Sequence, residues 1–319
     1  MQIKLSDIQR IGSDFVRPEC VHTNAAGDIF TSHHGGGVSH IDPSGARHDY
    51  LGPGDPVVAT NGFSITAEGD FLCASLLPPG GVWRITRASE QIPVLLEIDG
   101  VPLVSVNFVH VDAENRAWAT ISTRENPRQL GYRPDVASGF IILIDPRGAR
   151  VVAQDLGYTN EAKVDPSGRW LYVNETFARR TSRYAIAADG GLGTRETVTE
   201  YGEWVWPDGL DFDAQGGVWI SSVVSNRVIR VAADGTQEVF LEEVDVEHCK
   251  RAETAYQACT MDADHLGKIE TPTLRNVSSI TFGGADLKTA YLGNLLDDCI
   301  YTFRSPIAGA PPPHWNMTF

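Results

Sequence analysis

The sequence predicts an all-β fold, a six-bladed β-propeller with four antiparallel strands per blade. Three observations favour it: short strand-like segments fill the chain, tight turns recur in six pairs, and no segment shows a long 3.6-residue apolar period. The units repeat every 40 to 50 residues or so, with one spacing stretched to about 70, which matches the length of propeller blades. A β-sandwich has similar turn spacing but gives no reason for a sixfold paired pattern.

Six hairpin turns of one kind recur along the chain, each between two strand-like segments. They centre on Gly27, Gly69, Asn115, Gly168, Gly216 and Asp286. A second hairpin follows each of them, and these hairpins read HIDPSGARHDY, WRITRASEQIPVLL, LIDPRGARVVA, YAIAADGGLGT, RVAADGTQEVF and YTFRSPIAGAP. Two consecutive hairpins form one blade, so residues 1–319 are predicted to be a single propeller domain.

The stretched spacing contains an insertion, residues 242–270, between the fifth and sixth units. It joins the outer strand of one blade to the inner strand of the next, so we expect it to lie over the channel end where inner strands begin. A lid or a subunit contact would each suit so long an insertion. Its two cysteines and two histidines match no zinc motif, and we expect ordinary thiols there.

The composition indicates a soluble globular protein, with 42% hydrophobic and 21% charged residues. A net charge of −15 disfavours nucleic acid and anionic membranes as partners. No run of about 18 apolar residues occurs, and the N-terminus lacks the apolar core of a signal peptide. We therefore expect a cytoplasmic protein, and its five irregularly spaced cysteines do not predict a disulfide framework.

Equivalent positions in the six units carry side-chain oxygen atoms. Eight residues before each first turn, at the head of the innermost strand, stand Glu19, Asn61, Asn107, Asn160, Asp208 and Ser278. Any one of them alone could be a turn former or a cap. Because strand interiors disfavour Asn and Asp, however, their shared register needs a shared cause. We expect these six residues, the polar ring, to face one end of the central channel.

A cation is the expected partner of the polar ring. Glu19 and Asp208 would repel each other in a narrow channel unless a positive charge compensated them. Oxygen ligands without His or Cys favour Ca²⁺ or Mg²⁺ over a tetrahedral zinc site, although Mn²⁺ or Zn²⁺ could substitute. The sequence therefore predicts one divalent cation, with Ca²⁺ as the first choice.

Four stretches of the chain carry a resemblance to a known family: RPECVH around Glu19, TNEAKVDPSGRWLYVNET around Asn160, WPDGLDFDAQGGVWISS around Asp208, and RNVSSITFGGADLKTAYLGN near the C-terminus. They resemble the senescence-marker-protein (regucalcin), gluconolactonase and luciferin-regenerating-enzyme family of six-bladed propellers. Diisopropylfluorophosphatase is a more distant relative. The most specific run is PDG-x-x-x-D-x-x-G-x-x-W, which begins at Pro207.

The resemblance implies a divalent cation held by Glu19, Asn107, Asn160 and Asp208. It also implies metal-dependent hydrolysis of a lactone or another ester, with Asp208 accepting the proton of the attacking water. A bound cation can polarise the ester carbonyl and stabilise the oxyanion that develops. No Gly-x-Ser-x-Gly motif points to a covalent route.

The substrate is predicted to be a small lactone or ester that is less polar than a sugar lactone. Sugar-lactone hydrolases of the family usually carry an arginine two residues before the asparagine that matches Asn107, and here that residue is Ser105. Leucine and aromatic side chains on the facing loops add to this expectation. The residues predicted to bind substrate are Asn61, Ser105, His33, Glu175 and Ser278. Glu175 could instead pair with Arg179 or Arg180.

Two other functions compete with a metal-dependent lactonase. The polar ring could serve binding alone, in a non-enzymatic calcium-binding or small-molecule-binding propeller. A metal-independent enzyme of the strictosidine-synthase type is the third hypothesis, and the pair Glu19 and Asp208 argues against it. The sequence leaves the substrate and the oligomeric state open, a homo-oligomer included.

Overall fold

Six antiparallel four-stranded sheets form a ring of blades in the computed structural model, which describes residues 2–319 and confirms the predicted propeller. The strands, in chain order, are β1 (Gln9–Ile11), β2 (Val21–Thr23), β3 (Ile29–His33), β4 (Gly37–Ile41), β5 (Arg47–Leu51), β6 (Thr60–Ile65), β7 (Phe71–Ser75), β8 (Val82–Ile85), β9 (Gln91–Leu95), β10 (Glu97–Ile98), β11 (Val101–Pro102), β12 (Val106–Val111), β13 (Ala117–Ile121), β14 (Gly139–Asp145), β15 (Gly148–Leu156), β16 (Thr159–Val164), β17 (Trp170–Glu175), β18 (Arg180–Ala185), β19 (Glu196–Glu200), β20 (Trp206–Phe212), β21 (Val218–Val223), β22 (Arg227–Val231), β23 (Gln237–Glu242), β24 (Val277–Gly283), β25 (Thr289–Asn294) and β26 (Ile300–Arg304).

The blades follow the chain in order. They consist of β2–β5, β6–β9, β12–β15, β16–β19, β20–β23, and β24–β26 with β1, while β10 and β11 form a small separate hairpin. The inner strands β2, β6, β12, β16, β20 and β24 contact one another around the channel. Helices α1 (Val246–Gln257) and α2 (Ala263–Gly267) lie in the insertion, and 3₁₀ turns cover Leu5–Asp7 and Arg128–Gly131. None of the helices in residues 2–319 is long and apolar enough to span a membrane.

The sixth blade corrects one detail of the predicted repeat. YTFRSPIAGAP was expected to be a hairpin, but only its first part forms a strand, β26. The outermost strand of that blade is instead β1 from the N-terminus, which pairs antiparallel with β26, Gln9 opposite Thr302 and Ile11 opposite Ile300. The two chain ends therefore close the ring through a hydrogen-bonded ladder, which leaves no gap between the first and last blades.

The hydrophobic core lies between neighbouring blades. One cluster joins Trp219 and Phe240 of the fifth blade to Ile280 and Phe282 of the sixth. The Trp219 and Phe282 rings meet edge to face, with centroids 5.3 Å apart. The inner strands are therefore covered on both faces, and β6, β12 and β24 are buried along their whole length, whereas the outer strands β5, β9 and β19 contain exposed residues.

An aspartate after the inner strand organises the first hairpin of the third and fifth blades. Asp213 accepts hydrogen bonds from the backbone N–H groups of Gln215 (2.8 Å) and Gly217 (2.9 Å). Its other oxygen accepts from Trp219 Nε1 (2.8 Å) and Arg230 Nε (2.6 Å). In the third blade, Asp112 makes the matching bonds to Glu114, Arg116 and Trp118. The D-x-x-G-x-x-W pattern thus has a structural role. Its first residue, Asp213, accepts hydrogen bonds from the backbone of the turn, from Trp219 and from Arg230 of β22.

Replacing Asp213 by alanine is expected to lower the free energy of unfolding by about 3 kcal/mol, because it leaves the partly buried Arg230 and several N–H donors without an acceptor. Urea denaturation followed by tryptophan fluorescence measures the change. Asp234→Ala is the control, since Asp234 is exposed in a turn of the same blade and caps only Thr236 N. Equal stability of Asp213→Ala and wild type would contradict the structural role.

The C-terminal segment, residues 305–319, runs across one end of the channel. Ala310 N donates to Phe212 O (2.9 Å) and Ala25 N donates to Trp315 O (2.8 Å), so the segment links the fifth blade to the first. The ring of Phe319 packs on Phe30, with centroids 4.5 Å apart. This end is thereby covered by the chain itself.

Candidate active site at one end of the channel

Four members of the polar ring line one cavity of about 180 Å³ at the channel end opposite the C-terminal segment. They are Glu19, Asn107, Asn160 and Asp208, and each is at most 7% exposed. The rest of the lining is Arg17, Leu76, Arg128, Tyr132, Tyr158, Thr176, Phe177, Val223, Ala263, Leu266, Gly267, Leu295 and Leu296. The shared register read from the turns thus brings side chains from four blades together.

Local irregularities in the inner strands aim the ring residues into the channel. Pairing between the first two strands of a blade shifts register around Asn61, Asn107, Asn160, Asp208 and Ser278. A β-bulge places an extra residue against its partner strand and redirects its side chain, and bulges are common beside active sites. Five blades therefore share a register shift at the ring residue, which the pattern of residue types alone did not predict.

The backbone around Asp208 is held by the fourth blade. Asn174 Nδ2 donates to the carbonyl oxygen atoms of Asp208 (3.0 Å) and Gly209 (3.1 Å). Thr176 Oγ1 donates to Pro207 O (2.8 Å). Gly209 is required because a Cβ atom there would lie 2.5 Å from the Cα of Ser279 in the neighbouring inner strand. Side chains of the segment Asn174–Glu175–Thr176 therefore bind the backbone of the segment Pro207–Asp208–Gly209, which explains why both short motifs occur in the chain.

The two asparagines of the cavity are held through their amide groups, and Oδ1 of Asn107 accepts from Asn61 Nδ2 (3.4 Å). Nδ2 of Asn107 donates to Ser122 Oγ (3.1 Å), and Nδ2 of Asn160 donates to Thr176 Oγ1 (3.1 Å). Oδ1 of Asn160 is buried without a hydrogen-bond partner. A buried carbonyl oxygen without a partner is costly, so its orientation points to a ligand that accepts its lone pair.

The environment of Asp208 in the cavity disfavours its ionised form. Burial raises the pKa of Asp208 well above its usual value, and the carboxylates of Glu19 and Glu161 raise it further, while Arg17 and Asn160 oppose the shift. Glu19 Oε2 lies 2.7 Å from Arg17 Nη1. A positive charge bound beside Asp208 would favour its ionised form.

These donors fit a hard divalent cation. Two carboxylates and two amide oxygens, one of them unpartnered, form an all-oxygen set of the kind that Ca²⁺ and Mg²⁺ prefer. A second acidic group, Asp297, Asp298 and Cys299, lies at the rim of the sixth blade. There Asp297 already accepts from Tyr301 Oη (2.6 Å) and pairs with Arg10. The cavity is therefore the better candidate for a cation.

The remaining residues predicted to bind substrate lie around the cavity without lining it. Asn61 bridges the ring, since its Nδ2 donates to Asn107 O (3.1 Å) and its Oδ1 accepts from Arg17 Nη1 (2.8 Å). Ser278 Oγ donates to Glu19 O (2.8 Å) and so orients that backbone. Ser105 is buried, and its backbone carbonyl accepts from Ser122 N.

His33 and Glu175 are also placed outside the cavity lining. His33 is buried at the end of β3, where its Nδ1 accepts from Gly35 N (3.1 Å). Glu175 is fully buried and binds Arg180 (2.7 Å), Ser182 Oγ (2.6 Å) and Gly157 N (2.8 Å). This arrangement agrees with the alternative in which Glu175 pairs with Arg180, and all its oxygen atoms have protein partners.

Comparison with models of known families identifies the family of the chain. Residues 29–252 match the model described as the SMP-30/gluconolactonase/LRE-like region. The protein belongs to this family. The match confirms the resemblance carried by the motifs, and it includes Asn107, Asn160 and Asp208, while Glu19 precedes it.

Individual relatives of the SMP-30/gluconolactonase family are distant. The 6-deoxy-6-sulfogluconolactonase of Pseudomonas putida is 26% identical over 223 residues, 65% of this chain and 64% of that protein, so the match spans less than two thirds of the relative. The solved gluconolactonase of Xanthomonas campestris has a TM-score of 0.65 at 18% identity, over 92% of this chain and 88% of that one. A calcium-binding regucalcin of Agrobacterium tumefaciens has a TM-score of 0.69 at 16% identity, over 97% of both chains. These two structures show a shared fold.

An arginine enters the cavity of this SMP-30/gluconolactonase family member from an unexpected blade. The family's usual arginine position is Ser105, but Arg17 stands at the equivalent place of the first blade, two residues before Glu19. Arg17, Ser105, Tyr158 and Asn276 each precede a ring residue by two and share a positive φ between 53° and 68°. The loops before these four inner strands therefore share a positive φ, and a long side chain at this position, such as Arg17 or Tyr158, lines the cavity beside the polar ring.

The aromatic wall comes from the third and fourth blades. Tyr132, Tyr158 and Phe177 pack together with ring centroids 4.8 to 5.3 Å apart. Tyr132 lies in the loop after β13 and Phe177 in the loop after β17, and both line the cavity. Trp206, two residues before Asp208, does not line it and is fully buried against Tyr256 of α1. Tyr158 was not anticipated, because a lone tyrosine before a strand carries no distinctive signal.

The insertion covers one side of the cavity. Ala263, Leu266 and Gly267 of α2 belong to the lining, whereas α1 lies behind them. Helix α1 is bound to the fourth blade because Glu253 accepts hydrogen bonds from Nη1 (3.1 Å) and Nη2 (2.6 Å) of Arg179. The two cysteines of the insertion, Cys249 and Cys259, form no disulfide, and His248 Nε2 lies 2.8 Å from His265 O.

The opposite end of the channel holds a larger cavity of about 360 Å³, beneath the C-terminal segment. Its lining includes three buried histidines, His22, His110 and His314, together with Lys163. Burial lowers the pKa of His110 to about 3 and that of His314 to about 4, and Lys163 lowers both further. His314 also lowers the pKa of His110, whereas Asp112 opposes the shift.

His110 is expected to make the protein less stable in acid. Its pKa is lower in the folded than in the unfolded state, so its contribution is complete above the unfolded value of about 6.5 and declines as the pH falls below it. Relative to His110→Gln, the wild type should lose about 1.4 kcal/mol of unfolding free energy between pH 8 and pH 5.5. Urea denaturation at both pH values measures this, with the exposed His48→Gln as control. An unchanged difference between wild type and His110→Gln would contradict it.

Proposed function

We propose that the protein is a divalent-cation-dependent lactonase or esterase that uses the cavity lined by Glu19, Asn107, Asn160 and Asp208. Its membership of the SMP-30/gluconolactonase family supports a lactone hydrolase. The observation that carries the proposal is the convergence of two buried carboxylates and two amide oxygens on one cavity. Calcium is the proposed ion, because the donors are all oxygen atoms and the set is not tetrahedral sulfur or nitrogen.

The chain supplies binding, orientation and proton transfer. A bound divalent cation would supply charge stabilisation for the developing oxyanion. Asp208 is the proposed general base, because it lies in the lining and its backbone is fixed by Asn174. Glu19 and the two asparagines are the proposed remaining ligands, with Thr176 and Ser122 fixing the amide groups.

The apolar part of the lining positions the substrate and limits access of water. Leu76, Phe177, Val223 and Leu295 form this part with Leu266 of α2. We propose that residues 242–270 act as a lid, since α2 contributes directly to the cavity wall. The apolar side chains are the observation behind the prediction of a substrate less polar than a sugar lactone. That prediction and a sugar-lactone substrate are alternatives, which a substrate panel distinguishes.

Aldonolactones are the proposed starting point for the substrate search, because the curated relative from Pseudomonas putida is a 6-deoxy-6-sulfogluconolactonase. Hydrolysis of a panel of lactones, aryl esters and phosphotriesters, with added Ca²⁺ and with chelator, tests the proposal. Lactone hydrolysis that stops with chelator and returns with Ca²⁺ is expected. Activity that survives complete metal removal would contradict metal dependence, and cation binding without any turnover would favour a non-enzymatic binding protein.

A further inference from the structure

Two arginines line the cavity although neither was expected in the site. Arg17 lies in the loop before β2, and Arg128 lies in the 3₁₀ turn between β13 and β14. They share one cavity with Glu19 and Asp208, and these four are the charged residues among its described lining. The protein has more acidic than basic residues, with a net charge of −15, whereas the lining of this cavity has two of each.

Each guanidinium has donors that the protein does not use. Arg17 makes its contacts to Glu19 (2.7 Å), Asn61 (2.8 Å) and His34 (3.5 Å) through Nη1 alone. Arg128 donates Nη1 to Tyr158 Oη (3.1 Å), and its guanidinium lies 6.0 Å from the Tyr132 ring centroid. Nε and Nη2 of both residues have no hydrogen-bond partner within residues 2–319. A planar guanidinium with two adjacent free donors is suited to bind an oxyanion with two parallel hydrogen bonds.

The net charge of the cavity also favours binding of an anion once a divalent cation is bound to Glu19 and Asp208. With both carboxylates ionised, Glu19 and Asp208 would balance the two arginines, but without a cation burial and Glu19 favour the protonated form of Asp208. A dication held by these carboxylates would leave two positive charges without a counterion in a partly buried site. His34 is subject to the same field: burial lowers its pKa to about 4, and Arg17 and Arg128 both contribute to that shift.

We propose that the substrate of this site is a lactone that carries an anionic substituent, which Arg128 binds together with Arg17. The inference rests on the proposed lactonase function and adds the substrate class. The substituent is an oxyanion such as a sulfonate, a phosphate or a carboxylate, and Arg128 is the specificity-determining residue. The apolar lining contacts the rest of the substrate, so charge is concentrated at one end of the molecule.

Matched substrates test the proposal. Gluconolactone, 6-phosphogluconolactone and 6-deoxy-6-sulfogluconolactone differ mainly in the charge at C6, the carbon attached to the one that bears the ring ester oxygen. For the wild type with Ca²⁺, kcat/KM is expected to be at least about 10-fold higher for an anionic lactone than for the neutral one. Arg128→Met should lower kcat/KM for the anionic lactone by about 10- to 100-fold, chiefly through KM, which is the range for loss of a charge-assisted hydrogen-bonded pair. Turnover of the neutral lactone should fall by a clearly smaller factor than that of the anionic lactone, because only the anionic substrate loses a charged partner.

Two further variants separate specificity from structure. Arg133→Met is the matched control, because Arg133 lies in the same loop, pairs with Asp135 (2.6 Å) and does not line the cavity. Arg128→Lys retains the charge but not the planar donor pair, and we expect it to recover part of the preference. Thermal unfolding of all variants shows whether the loop remains folded.

A binding measurement makes the inference independent of turnover. Calorimetry with 6-deoxy-6-sulfogluconate and with gluconate, in Ca²⁺ and in chelator, should show tighter binding of the sulfonated acid, which weakens with added salt and in Arg128→Met. Equal affinity for the two acids, or equal losses for both in Arg128→Met, would overturn the anionic class. If no lactone is hydrolysed but the sulfonated acid binds selectively, the lactonase proposal fails while the anion site stands.

Discussion

Replacing Asp208 by asparagine is expected to lower kcat for lactone hydrolysis by about 10³-fold, because the variant keeps the size of the side chain but lacks the proposed proton acceptor. The carboxylate lies at the channel end in a cavity that the inner strands of several blades surround. Its backbone is held by Asn174 and Thr176, so the substitution should leave the fold intact. Initial rates at saturating lactone and Ca²⁺ measure the effect, and calorimetry of Ca²⁺ binding shows whether occupancy has also changed.

The control for this variant is Asp211→Asn. Asp211 lies on the same strand but lines the cavity at the opposite end of the channel. Its replacement should change kcat by less than about 3-fold, whatever it does to stability. If Asp208→Asn with bound Ca²⁺ turned over as fast as the wild type, Asp208 would not be the base.

Replacing Glu19 by glutamine is expected to weaken Ca²⁺ binding by at least about 100-fold, because the affinity of oxygen sites depends strongly on the number of charged ligands. Glu19 is 7% exposed, and its backbone is fixed by Ser278, so glutamine should occupy the same position. Activity should then require Ca²⁺ at a correspondingly higher concentration. Calorimetric titration of the metal-free variant measures the affinity directly.

Glu203→Gln serves as the matched control for charge removal. Glu203 is exposed in the loop before β20 and does not line the cavity. Its replacement should leave the Ca²⁺ affinity unchanged. A Glu19→Gln protein that binds Ca²⁺ as tightly as the wild type would place the cation elsewhere in the molecule.

The sequence was sufficient for the fold and for the positions of the polar ring because both depend on repetition. Counting back from each turn selected six positions, and the family resemblance selected Glu19, Asn107, Asn160 and Asp208 among them as ligands, which stays a prediction. These four line one cavity, whereas Asn61 and Ser278 do not. One strand was misplaced because β1 is far from β26 in sequence, and a pairing between chain ends leaves no local signal.

The rest of the site depends on side-chain direction, which the pattern of residues does not contain. Glu175 belongs to a motif close to the ring, but its neighbour Arg180 on the paired strand neutralises it. Arg17 lies next to the most conspicuous acid of the first blade, and its entry into the cavity depends on a positive backbone φ. The equivalence of Arg17 and Ser105 in the repeat was available from the spacing, and it was the signal that could have identified this arginine.

A crystal structure of the protein soaked with Ca²⁺ or with Mn²⁺, recorded with anomalous scattering, tests the cation site most directly. We predict a single strong peak at one end of the channel, within about 2.6 Å of oxygen atoms from Glu19, Asn107, Asn160 and Asp208. Absence of a peak there at saturating metal, or a peak only at the rim beside Asp297 and Asp298, would contradict the proposed metal-dependent lactonase.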